Sequence, residues 1–373
     1  MKGRRVALVA PSRELPGGQG IQAHALAEGL SSDGWDVVLI PVDPGFPRSL
    51  QWLRRRRYVR TVLNQAVYLP SLGKLRSVDV VHVFSASYWS FLLAPAPAML
   101  AARALGKRVI LHYHSGEADD HLGGWGLLVH PWLRLAHEIA VPSEYLRGIF
   151  TRHGYSTRVI PNVVDTSAFR YRVRRPLRPR LLSTRNFEPH YRVGNTIEAF
   201  GILRRRYPEA TLTLAGCGRL EDSLRRQAAS LGGGVRFAGR VEPQAMPRLY
   251  DEADVFLNSS VVDNQPVSVL EAFASGLPVV STNTGDIAAM VRPGDTGVAV
   301  PPDNPEAMAG AVAALLASPE GALRMARRAW QEAMSHTWTA VREAWTELYT
   351  EPALLPAAAG GTPGPRLVPR SGR

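Results

Sequence analysis

The chain has 373 residues, enough for two domains of ordinary size, and its 45% hydrophobic and 20% charged content is that of a globular protein. One cysteine, Cys217, excludes an internal disulfide framework and a multi-cysteine metal site. The formal charge of +12 comes almost wholly from arginine: Lys2, Lys74 and Lys107 are the only lysines, so a phosphate contact in the second half must come from arginine, a backbone amide or a hydroxyl.

After a charged start, Val6–Ala10 predicts a buried strand, which Pro11 and Arg13 cut too soon for a signal peptide. Pro16-Gly17-Gly18-Gln19-Gly20 follows, ahead of a helix over Ile21–Leu30. Glycines let a backbone approach a ligand and a helix start favours anions, which makes Gly18 a candidate binding residue. Val37–Pro41 and Val78–Phe84 predict the next strands. Between them, Arg54–Arg57, flanked by Trp52 and Tyr58, is the densest positive cluster. It reads as a solvated helix face or as a contact with an anionic membrane. The other arginines are scattered with no recognisable nucleic-acid module, so nucleic acid is not an expected partner. Tyr88–Leu105 is the longest apolar stretch, but Pro95, Pro97 and Arg103 interrupt it, and it reads as a buried helix pair. Strands over Val109–Tyr113 and Glu138–Val141 follow. The first ends in His112-Tyr-His114-Ser-Gly116-Glu117, where a neutral His114 could serve a reacting hydroxyl. His112 is placed on the opposite face and read as structural. Asp119, Asp120 and His121 point apart in an extended chain, and no Asp-x-Asp occurs, so no metal is expected.

The Arg- and Pro-rich stretch from Asn162 to Arg180 reads as a connection between domains. Alternation then resumes. Arg180–Thr184, Thr211–Ala215, Val235–Phe237, Val255–Asn258 and Pro278–Ser281 predict strands. Thr196–Tyr207 and Leu220–Leu231 predict helices. Pro305–Leu316 and Ala322–Tyr349 predict closing helices. From Glu351 the sequence is rich in Pro, Ala and Gly and reads as a disordered tail, with Leu367-Val-Pro-Arg370-Ser-Gly resembling a thrombin site. Strands separated by helices pair in parallel through right-handed crossovers. The expected architecture is therefore α/β, with two doubly wound, Rossmann-like domains facing across a cleft and ligands beyond the strand ends. The expected bounds are 1–165 for the first domain, 166–180 for the linker, 181–325 for the second domain, 326–350 for closing helices and 351–373 for the tail.

Asp263-Asn-Gln-Pro-Val-Ser-Val-Leu-Glu271, running into Ala-Phe-Ala-Ser-Gly276-Leu-Pro-Val-Val, sets two carboxylates eight positions apart. It resembles the E-x7-E signature of family 4 retaining glycosyltransferases, with Asp263 in the first acidic place. The resemblance runs through residues 4–345 and implies the GT-B fold. It implies sugar transfer from a nucleoside diphosphate, UDP- or GDP-linked, to an acceptor hydroxyl, with retention and without metal or other cofactor. It places the ribose on Glu271, the donor sugar on Asp263 and His114, and the distal phosphate on the amides of Val267 and Ser268. In Ser183-Thr-Arg185-Asn-Phe-Glu188-Pro-His-Tyr191-Arg192, Arg185 matches the family's diphosphate arginine. The partner lysine is missing, and Arg192 is the nearest substitute, though a guanidinium is not interchangeable with an ammonium. Leu214-Ala-Gly216-Cys217-Gly218 matches a turn of the nucleotide wall, and Phe237-Ala-Gly239-Arg240-Val241 the stretch that reads the base, with Val241 in contact. Cys217 lacks a nearby His base and reads as a small buried residue. Asn264-Gln265-Pro266 and Asp286 depart from the family pattern and bear on donor identity. The implied acceptor is a carbohydrate or lipid-linked hydroxyl in polysaccharide or glycolipid assembly. The implied location is cytoplasmic, with a peripheral place at the inner membrane face. Alternatives are an epimerase or phosphorylase on the same fold, or a catalytically silent carbohydrate-binding protein.

Overall fold

Short apolar strands joined by helical crossovers pair in parallel, and twelve do so here in two sheets of six. The structure, a computed structural model, describes residues 5–12, 17–45 and 57–351. The first sheet contains β1 (Arg5–Ala10), β2 (Asp36–Pro41), β3 (Val80–Ser85), β4 (Arg108–Tyr113), β5 (Glu138–Val141) and β6 (Arg158–Val159), in the order β2-β1-β3-β4-β5-β6. The second contains β7 (Arg180–Ser183), β8 (Thr211–Ala215), β9 (Val235–Gly239), β10 (Val255–Asn258), β11 (Val279–Thr282) and β12 (Val298–Val300), in the order β12-β11-β10-β7-β8-β9. Around the first lie α1 (Gly18–Ser32), α2 (Arg57–Ser71), α3 (Tyr88–Leu93), α4 (Pro95–Ala104), α5 (Ala118–Gly124), α6 (Gly126–Leu133) and α7 (Glu144–Arg152). Around the second lie α8 (Val193–Arg204), α9 (Glu221–Ala229), α10 (Met246–Glu252), α11 (Val267–Ala274), α12 (Ile287–Met290), α13 (Pro305–Ala317) and α14 (Pro319–Met334), and α15 (Trp338–Thr350) ends the described chain.

Alternation along β1 sorts the first domain's helices. Val6 and Leu8 face α1 and α15, whereas Ala7 and Val9 face the layer of α2, α4, α6 and α7. Two short strands escaped the sequence reading, β6 and β12, each too brief to show a period. The expected single helix over Ala322–Tyr349 breaks at Ser335–Thr337 into α14 and α15. That break is a domain crossing. Ala329 and Ala333 of α14 pack in the second domain, while Trp345 and Leu348 of α15 pack on the first. The outward crossing runs beside it, with Val164 N–H donating to the His336 carbonyl at 2.8 Å. Arg54–Arg56 and the tail beyond Glu351 lie outside the described residues, as does the side chain of Arg57. Among the described residues no helix is long and apolar enough to cross a membrane.

The stretch expected as a linker is anchored on the second domain. Arg174 is fully buried, and its guanidinium donates to the carbonyls of Ala253 (2.9 Å), Tyr250 (2.9 Å), Arg172 (2.7 Å), Ser275 (2.6 Å) and Gly276 (3.1 Å). It closes the ends of α10 and α11, where carbonyls lack helical partners. Arg174→Met removes every one of these donors and is expected to cost about 3 kcal/mol or more. Exposed Arg175→Met should be near neutral. Urea midpoints measure both, and equal midpoints would refute the anchoring role.

Candidate active site

Each sheet reverses its strand order once, between β1 and β3 in the first and between β7 and β10 in the second. The loops flanking such a point part and leave a crevice beyond the strand ends. The two crevices meet in one cavity of about 970 Å³, with Gly18 and His114 on one side and Arg185, Asp263 and Glu271 on the other.

Arg185 follows β7 and Asp263 follows β10, so the second switch point sets them together as an ion pair. Their side chains are only 8% and 13% exposed, a setting in which each charge needs the other. The Arg185 Nη1 also donates to Ser268 Oγ at 2.9 Å, and its guanidinium lies 4.1 Å over the Tyr191 ring. Glycines fix the backbone around the pair. A Cβ on Gly285, at φ +54°, would lie 2.0 Å from the Asp263 carbonyl oxygen, and one on Gly116 at 3.0 Å. Gly116 belongs to the first domain, so the Asp263 loop is also a domain contact. A Cβ on Gly216 would lie 2.4 Å from the Arg185 carbonyl oxygen, which explains that glycine sterically, while Gly216 and Val241 also line the cavity.

α11 begins after Pro266, so the first N–H groups without a helical acceptor are those of Val267 and Ser268. The start of α1 faces it, and a Cβ on Gly18 would lie 3.5 Å from Val267 Cγ2. Two positive helix ends thus converge, an arrangement that favours an anion. Gly20 is the sterically required glycine of that loop, because a Cβ there would lie 2.8 Å from the Ser12 carbonyl oxygen.

Glu271 is three residues past Ser268 and shares its face of α11. Tyr250 Oη donates to its carboxylate at 2.7 Å, and Thr184 Oγ1 lies 2.8 Å from the same hydroxyl. Burial pushes the Glu271 carboxyl up to about 7, opposed by the Tyr250 hydrogen bond and the Arg185 charge. Tyr250 was not singled out from sequence, since it sits in no motif, and Tyr191 was quoted within the Arg185 segment but given no role.

His114 lines the cavity from the end of β4, and burial pushes its imidazole down to about 3, leaving it neutral. His112 is not on the opposite face as expected. Residues two apart in a strand share a face, and the two rings lie 4.0 Å apart. His112 is buried among His82, His114 and Trp345, consistent with a structural place. Arg192 is a further correction. The turn Pro189–Tyr191 ends there with Arg192 in the left-handed region, and its Nε pairs with Asp303 at 3.1 Å. It is not part of the cavity lining, whereas His190 and Tyr191 of the same segment are. Asp119, Asp120 and His121 do diverge, but on helix α5. Asp119 meets Arg152, Asp120 accepts from Tyr88, and His121 lies beside the Tyr113 hydroxyl. Among the described residues no three His, Cys, Asp or Glu side chains are placed to hold a metal.

The polar loop before α11 lines the cavity and also carries bonds between the domains. Ser143 Oγ donates to Asn264 Oδ1 at 2.6 Å. The Asn162 amide donates to Gln265 Oε1 at 2.6 Å, and Asn162 Nδ2 to the Gln265 carbonyl at 2.8 Å. Both Asn264 and Gln265 therefore tie the domains together. Asp286 is buried beside the Gln265 side chain, outside the cavity lining, and burial pushes its carboxyl up to about 7.

These two facing sheets and their shared cleft are the architecture of GT-B glycosyltransferases. HepE of Anabaena, solved with UDP and glucose, superimposes with a TM-score of 0.72 over 93% of this chain and 99% of its own, at 17% identity. The model of glycosyltransferase family 4 matches residues 16–168 and that of glycosyl transferases group 1 matches residues 178–318. The chain belongs to this family of glycosyltransferases. It is 28% identical to a glycogen synthase of Mycobacterium tuberculosis, across 89% of this chain and 91% of that protein. It is 26% identical to a phosphatidyl-myo-inositol mannosyltransferase of Mycolicibacterium smegmatis, across 90% and 91%.

Burial gives the site a signed pH dependence. His82 and His114, both pushed down to about 3, take up protons only on unfolding, so acidification below about 6.5 should lower Tm. Glu271 acts oppositely. Its carboxyl, raised from 4.5 to about 7, binds a proton on folding, so its contribution is present at low pH and lost as pH rises through that window. Glu271→Gln should therefore gain Tm relative to the parent between pH 4.5 and 7. A Tm difference that stays constant across that range, in thermal melts of the unliganded protein, would exclude a buried, raised carboxyl.

Proposed function

We propose that the chain is a retaining, metal-independent glycosyltransferase. It moves a sugar from a UDP- or GDP-linked donor to a hydroxyl of a carbohydrate or lipid-linked acceptor held by the first domain. The observation that carries this reading is the Arg185–Asp263 pair, set with Ser268 and Glu271 around the converging starts of α1 and α11. The UDP and glucose held by HepE, on the same fold, support it.

The diphosphate lies across the two helix starts, with Arg185 as its fixed cation. It competes with Asp263 for the guanidinium and so frees that carboxylate for a sugar hydroxyl. Glu271 takes the ribose hydroxyls. As the glycosidic bond breaks, charge grows on the leaving diphosphate, where Arg185 and the amides of Val267 and Ser268 stabilise it. The acceptor attacks from the face the diphosphate leaves, and a diphosphate oxygen takes its proton. His114 is a hydrogen-bonding group here. A base near pKa 3 is mismatched to proton abstraction at neutral pH. Asn264 and Gln265 hold the domains in register and keep water from the donor.

Proton NMR of products from UDP- and GDP-hexoses with a hydroxyl acceptor tests this. The expected outcome is retained anomeric configuration, unchanged by chelator. Inversion, or loss of activity on chelation, would overturn it. Arg185→Ala should lower turnover about 10²–10³-fold. Glu271→Ala should weaken nucleotide binding roughly tenfold or more. Arg192→Ala should leave both within about twofold, as expected of a surface residue. Equal losses for Arg185→Ala and Arg192→Ala would rule out the assigned phosphate cation.

A further inference from the structure

Beside the two helix starts Arg185 works without a second cation. The lysine that the family pattern pairs with it is missing, and Arg192 turns away to Asp303. Among the described residues that line the cavity, the only arginines or lysines are Arg185 and Arg240. Arg240 follows β9, two strands out from β7. The orientation of one guanidinium therefore decides how a diphosphate is held there.

Three contacts set that orientation. Nη2 pairs with Asp263, Nη1 donates to Ser268 Oγ at 2.9 Å, and Cζ lies 4.1 Å over the centre of the Tyr191 ring. Nε is buried without a hydrogen-bond partner. A diphosphate replaces the first of these contacts. Ser268 and the ring then remain, and a single hydroxyl leaves a planar fork free to swing about its one bond. The aromatic face removes that freedom, because a cation is attracted to it electrostatically and more strongly where water is excluded. Burial pushes the Tyr191 hydroxyl above its usual range, so the guanidinium meets a neutral ring and not a phenolate. Among the described residues the hydroxyl forms no hydrogen bond, and the ring alone makes the contact.

The ring is itself fixed to the segment that carries Asp263. Ser259 Oγ shares its proton between the Tyr191 and Arg192 carbonyls, 2.9 Å from each, and accepts from Thr196 Oγ1 at 2.9 Å. The Val261 amide donates to the His190 carbonyl at 2.8 Å. Ser259 and Val261 follow β10 and precede Asp263 by four and two positions. Ring, guanidinium and carboxylate are thus registered over one short stretch of backbone.

We propose that Tyr191 is a positioning residue for the donor diphosphate: its ring holds the Arg185 guanidinium in place once Asp263 has released it. The inference rests on the reading of Arg185 as the diphosphate cation. Calorimetric titration of the full chain with UDP and with GDP tests it. Tyr191→Phe keeps the ring and should bind the preferred nucleotide within about twofold of the parent. Tyr191→Leu keeps most of the bulk without the aromatic face and should bind about tenfold more weakly. On an Arg185→Ala background the same leucine should change Kd by less than about twofold, since no guanidinium is left to hold. Three results overturn the proposal: a leucine variant that binds like the parent, a phenylalanine variant that loses as much as the leucine one, or losses that simply add in the double variant. The second would make the hydroxyl a direct ligand contact, and the third would make the ring act independently of Arg185. A parent that binds neither nucleotide, or one whose Kd Arg185→Ala leaves unchanged, defeats the transfer reading of the site itself and the part of Tyr191 with it.

Discussion

The fold is arranged around one ion pair. Arg185 and Asp263 leave adjacent strands, β7 and β10, on the two sides of the second sheet's switch point, and they are too buried to be solvated separately. Each backbone is pressed against a glycine: Gly216 under Arg185 and Gly285 against Asp263 leave no room for a Cβ, and Gly116 leaves a tight 3.0 Å. Since Gly116 comes from the first domain, docking of the two domains and placement of the carboxylate are one geometric condition. Asn264 and Gln265, next in the chain, bond to Ser143 and Asn162 across the same boundary. On the proposed reading, a donor that draws Arg185 away from Asp263 would act on the element that also registers the domains.

The strands were legible because a parallel sheet covered on both faces writes itself as short apolar runs, and Thr211–Ala215, Val255–Asn258 and Glu138–Val141 fall as expected. The placement of Asp263, Glu271 and Arg185 in one cleft was legible too, since the switch point follows from strand order and loop position. What failed was orientation. Arg192 looked like the nearest cation, but a left-handed residue at the end of a tight turn sends its side chain to Asp303. His112 was misassigned by overlooking that a two-residue step keeps the face. The interdomain bonds of Asn264 and Gln265 were missed, because long-range polar partners such as Asn162 leave no mark in local sequence. Tyr250 was invisible for the same reason: its bond to Glu271 spans 21 residues and two elements.

α15 shows how far the crossing reaches. His114 at the cleft stacks on Phe84 and touches His112, which packs on Trp345 of α15, while His82 bonds the Tyr349 hydroxyl at 2.7 Å. These histidines are held neutral by burial, so the cluster behaves as aromatic packing rather than as charge. It ties the cleft wall of the first domain to the helix that returns from the second. The two crossings are joined to each other by the Val164–His336 backbone bond beside it.

The distribution of charge shows what the total conceals. Inside the cleft Arg185 is offset by Asp263, and Glu271 and the helix starts complete a compact site that could handle a diphosphate with little net charge. The surplus lies elsewhere in the sequence, where residues 44–116 carry a net +10 of the chain's +12. Had the positive charge served the donor, it would sit in the second half, at the ends of β7 to β12. The electrostatics of the cleft are therefore set by its own buried pair and helix starts, and the net charge of the chain says nothing about them.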